Sequence, residues 1–114
     1  MSALNDVLSW RCVQNNKKNW LTPIMANSFL HEQAKFRICY LLKGIGVEFW
    51  TEAVFKNGSG RADIYLPDRN LAIEILDTET MERFEKKKNT WPCRVIGVFS
   101  QDHIDVARLE KLIN

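Results

Sequence analysis

Two carboxylates, Asp63 and Glu74, lie in stretches whose spacing would bring them together. RADIYL (61–66) and LAIEIL (71–76) are short, strand-forming runs joined by Pro67-Asp68-Arg69-Asn70, four residues with strong turn chemistry. If Leu66 faces Leu71 across that turn, the antiparallel register sets Asp63 opposite Glu74 on one face. Ile64, Leu66, Ile73 and Ile75 then point to the other. Like charges side by side on a strand pair repel. The pairing makes chemical sense with a divalent cation between the acids, or with one carboxyl kept protonated. Magnesium suits such a site, because one or two carboxylates together with substrate phosphates commonly hold it. A slipped register, or two acids that simply face water, is the structural alternative.

The flanking elements must hold this pair in place. Ser28 can cap a helix whose apolar residues run to Leu42, with Gly44 as its stop. Phe29, Phe36 and Tyr40 share one side of it, expected to pack inward, with Glu32 between them. VEFWTEAVF (47–55) reads as a strand, and Asn57-Gly58-Ser59-Gly60 as a flexible turn. Beyond the hairpin, Thr78 or Thr80 can start a helix reaching about Lys88, with Met81, Phe84 and Lys88 or Trp91 as its inward stripe. Asp77 would cap that helix. CRVIGVFS (93–100) is a continuous apolar run, expected to be a central strand buried on both faces. Asp102 would cap a last helix carrying Ile104, Ala107, Leu109 and Leu112 or Ile113. Upstream, residues 3–13 suit a short amphipathic helix, residues 15–19 a polar connection, and Pro23 a break. The order is helix, three strands, helix, strand, helix: an α/β fold with a mixed central sheet of about four strands flanked by helices.

The 114 residues have room for one domain, and a hydrophobic content of 46% can form a core without disulfides or a structural metal. Within it, residues 1–25 read as an N-terminal extension, 28–100 as the core and 102–114 as the closing helix. A net charge of +2 does not by itself announce nucleic-acid binding, so any basic surface must come from local clustering. Cys12, Cys39 and Cys93 are far apart and odd in number, with no C-x-x-C pair and only His31 and His103 to assist them. This argues for reduced thiols rather than a disulfide scaffold or zinc knuckle. No apolar run is long enough to span a membrane, and MSALNDVLSWRC lacks the basic start and apolar core of a signal peptide. The expected location is cytoplasmic, intracellular and reducing.

Taken together, Glu32 on the first helix, the approach Gly58-Ser59-Gly60-Arg61-Ala62-Asp63-Ile64, the run Ala72-Ile73-Glu74-Ile75 and the αβββαβ order resemble the PD-(D/E)XK nuclease superfamily. The resemblance covers roughly residues 28–100. It implies a restriction-endonuclease-like core (αβββαβα here) and a metal-dependent nuclease, endo- or exo-, that takes Mg2+ or Mn2+. It also implies metal-ligand roles for Asp63, for Glu74, for the backbone carbonyl of Ile75 and for Glu32. The family places a lysine two residues after the glutamate, where it positions the attacking water and offsets developing charge; this chain has Leu76 there. Some members recruit that lysine from the following helix. Lys88, in phase with Met81 and Phe84, and Lys87, to one side, are the candidates beside the catalytic acids Asp63 and Glu74.

The expected substrate is nucleic acid, DNA more than RNA, contacted at its phosphates by Arg61, Arg69, Lys56, Lys17 and Lys18. With no base-reading helix in view, cleavage would have little sequence specificity or would select substrate structure. Small size and four tryptophans (Trp10, Trp20, Trp50, Trp91) point to a homodimer, although at least two of them should be core residues. Leu76 keeps a catalytically inactive nucleic-acid-binding domain as an alternative, and a protein-interaction module is a second. There is no G-x-x-x-x-G-K-[ST] or G-x-G-x-x-G for nucleotide chemistry, and neither histidine has an evident serine partner.

Overall fold

The computed structural model describes residues 18–77 and 81–114, together with the backbone of Val13–Gln14. The elements are β1 (Val13–Gln14), α1 (Phe29–Gly44), β2 (Trp50–Phe55), β3 (Arg61–Leu66), β4 (Leu71–Leu76), α2 (Met81–Thr90), β5 (Arg94–Phe99) and α3 (Val106–Ile113). The α/β order expected from Ser28 onward is the order found. The helix expected over residues 3–13 lies, as far as Cys12, outside the described residues; Val13 itself belongs to β1 and pairs with Phe55.

The sheet runs β1-β2-β3-β4-β5. Neighbours are antiparallel except for β4 and β5, which are parallel and connected through α2, as a parallel pair requires. α1 and α3 cover one face, where Ile38, Leu42, Leu109 and Ile113 close on Ile64, Leu66, Ile73 and Ile75. Phe84 of α2 and Trp91 cover the other, against Tyr65, Ala72 and Leu76. Every residue of β4 is buried, so β4 is the strand between the layers.

α1 starts where expected, with the Ser28 side chain accepting from the His31 amide, and ends through Gly46 at φ +77°. Its inward face differs from the expected one. Ala34, Lys35, Ile38, Cys39 and Leu42 are buried, whereas Phe29, Phe36 and Tyr40 are 76%, 54% and 70% exposed. Smaller side chains at four-residue spacing fit the aliphatic sheet face, and three large rings would hold the helix off it.

The apolar run of β5 is not a central strand. β5 forms the sheet edge, with Arg94 and Phe99 exposed, because α2 returns the chain alongside β4 with nothing described beyond it. In α2 only Phe84 of the expected stripe is buried; Met81 and Lys88 face outward, and Trp91 packs from just past the helix. The last helix is capped by Asp105, whose side chain accepts from the Arg108 amide, while Asp102 instead pairs with the Arg108 guanidinium. Ala107 is exposed, and Ile104 is buried ahead of the helix. Trp50 and Trp91 are core residues, Trp20 is exposed, and Trp10 lies outside the described residues. Cys39 and Cys93 are free thiols pushed up to about 12 by burial, and Cys12 is not among the described residues. Among the described residues no helix is long and apolar enough to cross a membrane.

Candidate active site

The β3–β4 hairpin has the register read from its turn: Leu66 faces Leu71, Tyr65 faces Ala72 and Ile64 faces Ile73. The regular pairing stops there, one step short of the acids. Side chains then replace it. The Asp63 amide donates to Glu74 Oε2 at 2.8 Å, and the Ile75 amide donates to Asp63 Oδ2 at 2.9 Å. Each carboxylate stands in for a backbone carbonyl of the opposite strand, which locks the two acids together and satisfies two buried donors.

β2 adds a third acid to the row. Thr51 faces Ile64 and Ala53 faces Ala62, so Glu52 lies at the level of Asp63 without pairing with it. Its φ of 53° is left-handed, a conformation costing a non-glycine residue on the order of 1–2 kcal/mol. The ion pairs of its carboxylate offset that cost: Oε2 lies 3.1 Å from Lys35 Nζ and Oε1 3.1 Å from Arg61 Nε. Lys35 is fully buried and also donates to Glu32 Oε1 at 2.7 Å and to the Thr22 carbonyl at 2.8 Å. Glu32 further accepts from the Ile24 amide and Asn27 Nδ2, and lies 2.6 Å from His31 Nδ1. The other ring nitrogen, His31 Nε2, lies 3.3 Å from Asp63 Oδ2. A continuous chain of charged contacts thus runs from Glu52 through Lys35, Glu32 and His31 to Asp63.

These contacts set the protonation states. The hydrogen bond to Asp63, with help from both neighbouring charges and against burial, raises His31 to about 9. Burial alone would raise Glu32, but Lys35, the Ile24 amide, His31 and Asn27 together hold it down at about 2. Burial, then the charge of Asp63, pushes Glu74 up to about 8, against the bonds from the Asp63 amide and Lys87. Burial also raises Glu52, against Lys35 and Arg61.

The acids open onto a polar cleft of about 570 Å³, lined among others by His31, Arg61, Ile75, Asp77, Arg83 and Lys87. Lys87 Nζ lies 2.8 Å from Glu74 Oε1. An ammonium from α2 thus lies beside the second acid. Leu76 itself is buried against Phe84 and Trp91. Lys88 points elsewhere, with its Nζ 3.7 Å from Glu85 and over the Phe84 ring. Asp77 accepts from Ser28 Oγ and Ser100 Oγ, tying the start of α1 to the end of β5; the start of the helix it was expected to cap falls on residues 78–80, which are not described.

Ile75 lines the cleft. Its amide faces β3, and in an extended strand its carbonyl shares that edge. Glu32 does not line the cleft; its oxygens are taken by the four donors named above. Of the expected phosphate-binding cations, Arg61 lines the cleft. Arg69 lies at the opposite end of the hairpin, where its guanidinium reaches Asn114, and Lys18 pairs with Glu48. Lys56 is exposed beside the Asn57-Gly58 turn, and Lys17 is outside the described residues.

Searches of family models, of curated proteins and of solved structures return no match to this chain. Its chemistry therefore has to be argued from its own residues. Among the described residues no group of three or more His, Cys, Asp or Glu side chains is placed to hold a metal ion. Asp63 and Glu74 bring two carboxylates to one open cleft, an all-oxygen donor pair. That suits a hard cation which keeps several waters and takes a substrate phosphate, and does not suit zinc in a structural site.

His31, Glu52, Lys35 and Arg83 carry or line the site and were not among the residues expected from sequence. For Glu52 a signal was available. An Asn57-Gly58 hairpin turn, counted outward as for the other hairpin, sets Glu52 opposite Asp63. For His31 the signal was its place one turn inside the Ser28 cap, where a helix start meets the strand ends. Glu32, three residues before it, is a local partner of Lys35, but burial also needs Glu52 and the Thr22 carbonyl, which are distant in sequence.

Proposed function

We propose that this chain is a metal-dependent nuclease with a restriction-endonuclease-like core. It would hydrolyse phosphodiester bonds of nucleic acid, DNA ahead of RNA, with little sequence specificity or with selectivity for substrate structure. The observation that carries this reading is the meeting of Asp63, Glu74 and the Lys87 ammonium in one open cleft. Two acids alone fit many roles. Two acids interlocked through each other's backbone, with a lysine on the second, supply the charges that phosphodiester hydrolysis needs.

Asp63, Glu74 and the Ile75 carbonyl would hold Mg2+ or Mn2+. Such a cation, when bound, polarises a phosphate and lowers the pKa of a water. Lys87, half-buried, holds its ammonium beside Glu74 and over the Trp91 ring, where it would stand near the attacking water and offset charge developing on phosphorus-bound oxygen. His31 Nε2 reaches the same Asp63 oxygen that accepts from the Ile75 amide and brings positive charge to the cleft. Glu52 and Lys35 brace Arg61 and Glu32, and the charge of Asp63 acts on Glu52 across the strand pair. Hydrolysis joins the water oxygen to phosphorus and breaks the bond from phosphorus to the leaving sugar oxygen. The ammonium from α2 favours this reading over a binding-only domain, for which Leu76 had been the main argument.

The test is cleavage of supercoiled plasmid, linear duplex, branched DNA and RNA with Mg2+ or Mn2+, with Asp63→Ala alongside. Metal-dependent cleavage that the substitution removes is the expected result. No cleavage of any substrate, or full activity in Asp63→Ala, would overturn it.

A further inference from the structure

Beside the acidic cleft lies a second depression of about 330 Å³, between the Gly58–Gly60 turn and the exposed flank of α2. The two share Arg61, Arg83 and Lys87, so they form one continuous surface. Their charges differ. Four acids, Glu52, Asp63, Glu74 and Asp77, line the first, whereas every ionisable side chain lining the second is a cation, Lys86 being added to the three shared ones.

Two further features point to an anion. Ser59 lines the depression, and its hydroxyl, closed off from water, has no hydrogen-bond partner among the described residues, a situation costing about 1–3 kcal/mol. A rotation about χ1 would let it donate to an oxygen seated there. The floor is rigid: Trp91 donates its indole N–H to the Ser59 carbonyl at 3.0 Å. Gly60, at φ +149°, sits so close to that ring that a Cβ would come within 2.9 Å of it.

We propose that this depression is a subsite for a non-reacting phosphate of a polynucleotide strand, next to the phosphate held over Asp63 and Glu74. The inference deepens the nuclease reading and rests on it for the substrate class. It gives the strand a direction across the surface, from the acids toward Lys86 and the Gly58–Gly60 turn. It also explains why a chain of net charge +2 need not be basic overall to bind nucleic acid. Four of its cations, Arg61, Arg83, Lys86 and Lys87, line the flank where the strand would pass.

The test is binding of a labelled single-stranded and a labelled duplex oligonucleotide without divalent metal, across a salt series. Lys86→Ala is expected to weaken binding about five- to tenfold and to flatten the log–log salt dependence by about 0.7–0.9, the value of one lost phosphate contact. Ser59→Ala should weaken it a few-fold, and Lys88→Ala, outside the depression, should leave both quantities unchanged. Lys86→Glu binding with wild-type affinity and salt slope would overturn the proposal. So would inorganic pyrophosphate competing at concentrations as low as the oligonucleotide, which would make this a site for free phosphates. Binding that depends on Lys86 in a protein that cleaves nothing would remove the nuclease reading and leave the subsite standing. Cleavage that persists in Lys86→Glu with unchanged KM would do the reverse.

Discussion

Replacing Glu74 by glutamine should stabilise the metal-free protein while abolishing its chemistry. The Glu74 side chain is almost wholly buried, and burial together with Asp63 raises it from 4.5 to about 8. The native state therefore keeps, between those two values, a proton that the unfolded chain releases. Stability falls as pH rises through that window and levels off above about 8. At about 1.4 kcal/mol per pH unit the penalty is bounded by about 5 kcal/mol. Relaxation of Lys87, whose side chain is 26% exposed, brings the expected value nearer 2 kcal/mol. Glutamine keeps the bond from the Asp63 amide and carries no charge. At pH 5 the two proteins should unfold together, because glutamine is isosteric with the protonated acid. At pH 9 Glu74→Gln should be the more stable by about 2 kcal/mol, or roughly 8 °C in Tm for a domain of this size. Urea and thermal unfolding in EDTA at both pH values provide the measurement. Added Mg2+ should then raise the wild-type Tm and not that of the variant. A gap between the two that does not widen with pH, or a variant less stable at pH 9, would refute the assignment of Glu74 as a strained, metal-ready carboxylate.

The two lysines of α2 should separate cleanly. Lys87→Met is expected to reduce cleavage about 10²–10⁴-fold, whereas Lys88→Met, whose ammonium faces Glu85, should stay within a few-fold of wild type. Equal effects in a plasmid-nicking assay would mean that neither lysine is specific to the chemistry. His31 gives a second pH signature. Its folded value of about 9 lies above the ordinary 6.5, so the stability it contributes is present in full below 6.5 and is lost as pH rises through about 9. His31→Asn should therefore lose about 2 kcal/mol at pH 6, after allowance for solvent screening, and much less at pH 9.5. A loss of the same size at both pH values in urea unfolding would remove the charged His31–Asp63 contact from the account.

Hairpin geometry was the most legible part of the chain because it is local. Four residues of turn chemistry fix the β3–β4 register, and from that register the opposition of Asp63 and Glu74 follows without any tertiary knowledge. Helix faces were less legible. On α1 the aromatic stripe is the more hydrophobic side, yet the face that packs is the one whose shapes fit an aliphatic sheet, and Lys35 is drawn in with it by Glu32 and Glu52. Composition could not reveal this, since burying the ammonium is favourable only when Glu52, distant in sequence, joins Glu32 beside it. The apolar β5 misled in a different way. A continuous hydrophobic run says that both faces are covered, and it carries no information on whether a neighbouring strand lies on each edge.

The exchange of Lys88 for Lys87 has a simple geometric origin. Counting from Phe84, the buried anchor of α2, a residue four places on leans about 40° to one side of the anchor's direction, and a residue three places on leans about 60° to the other. Phase with the core therefore leaves the two lysines nearly equivalent, and only the position of the acids decides between them. Asp63 and Glu74 lie off the flank of α2 and not beneath it, so Lys87 reaches Glu74 while Lys88 folds back over the Phe84 ring. α2 follows β4 in the chain, and its Lys87 brings an ammonium to Glu74 where Leu76 offers none. Leu76 then becomes part of the packing that holds α2, together with Phe84 and Trp91, at the distance where Lys87 meets the acid.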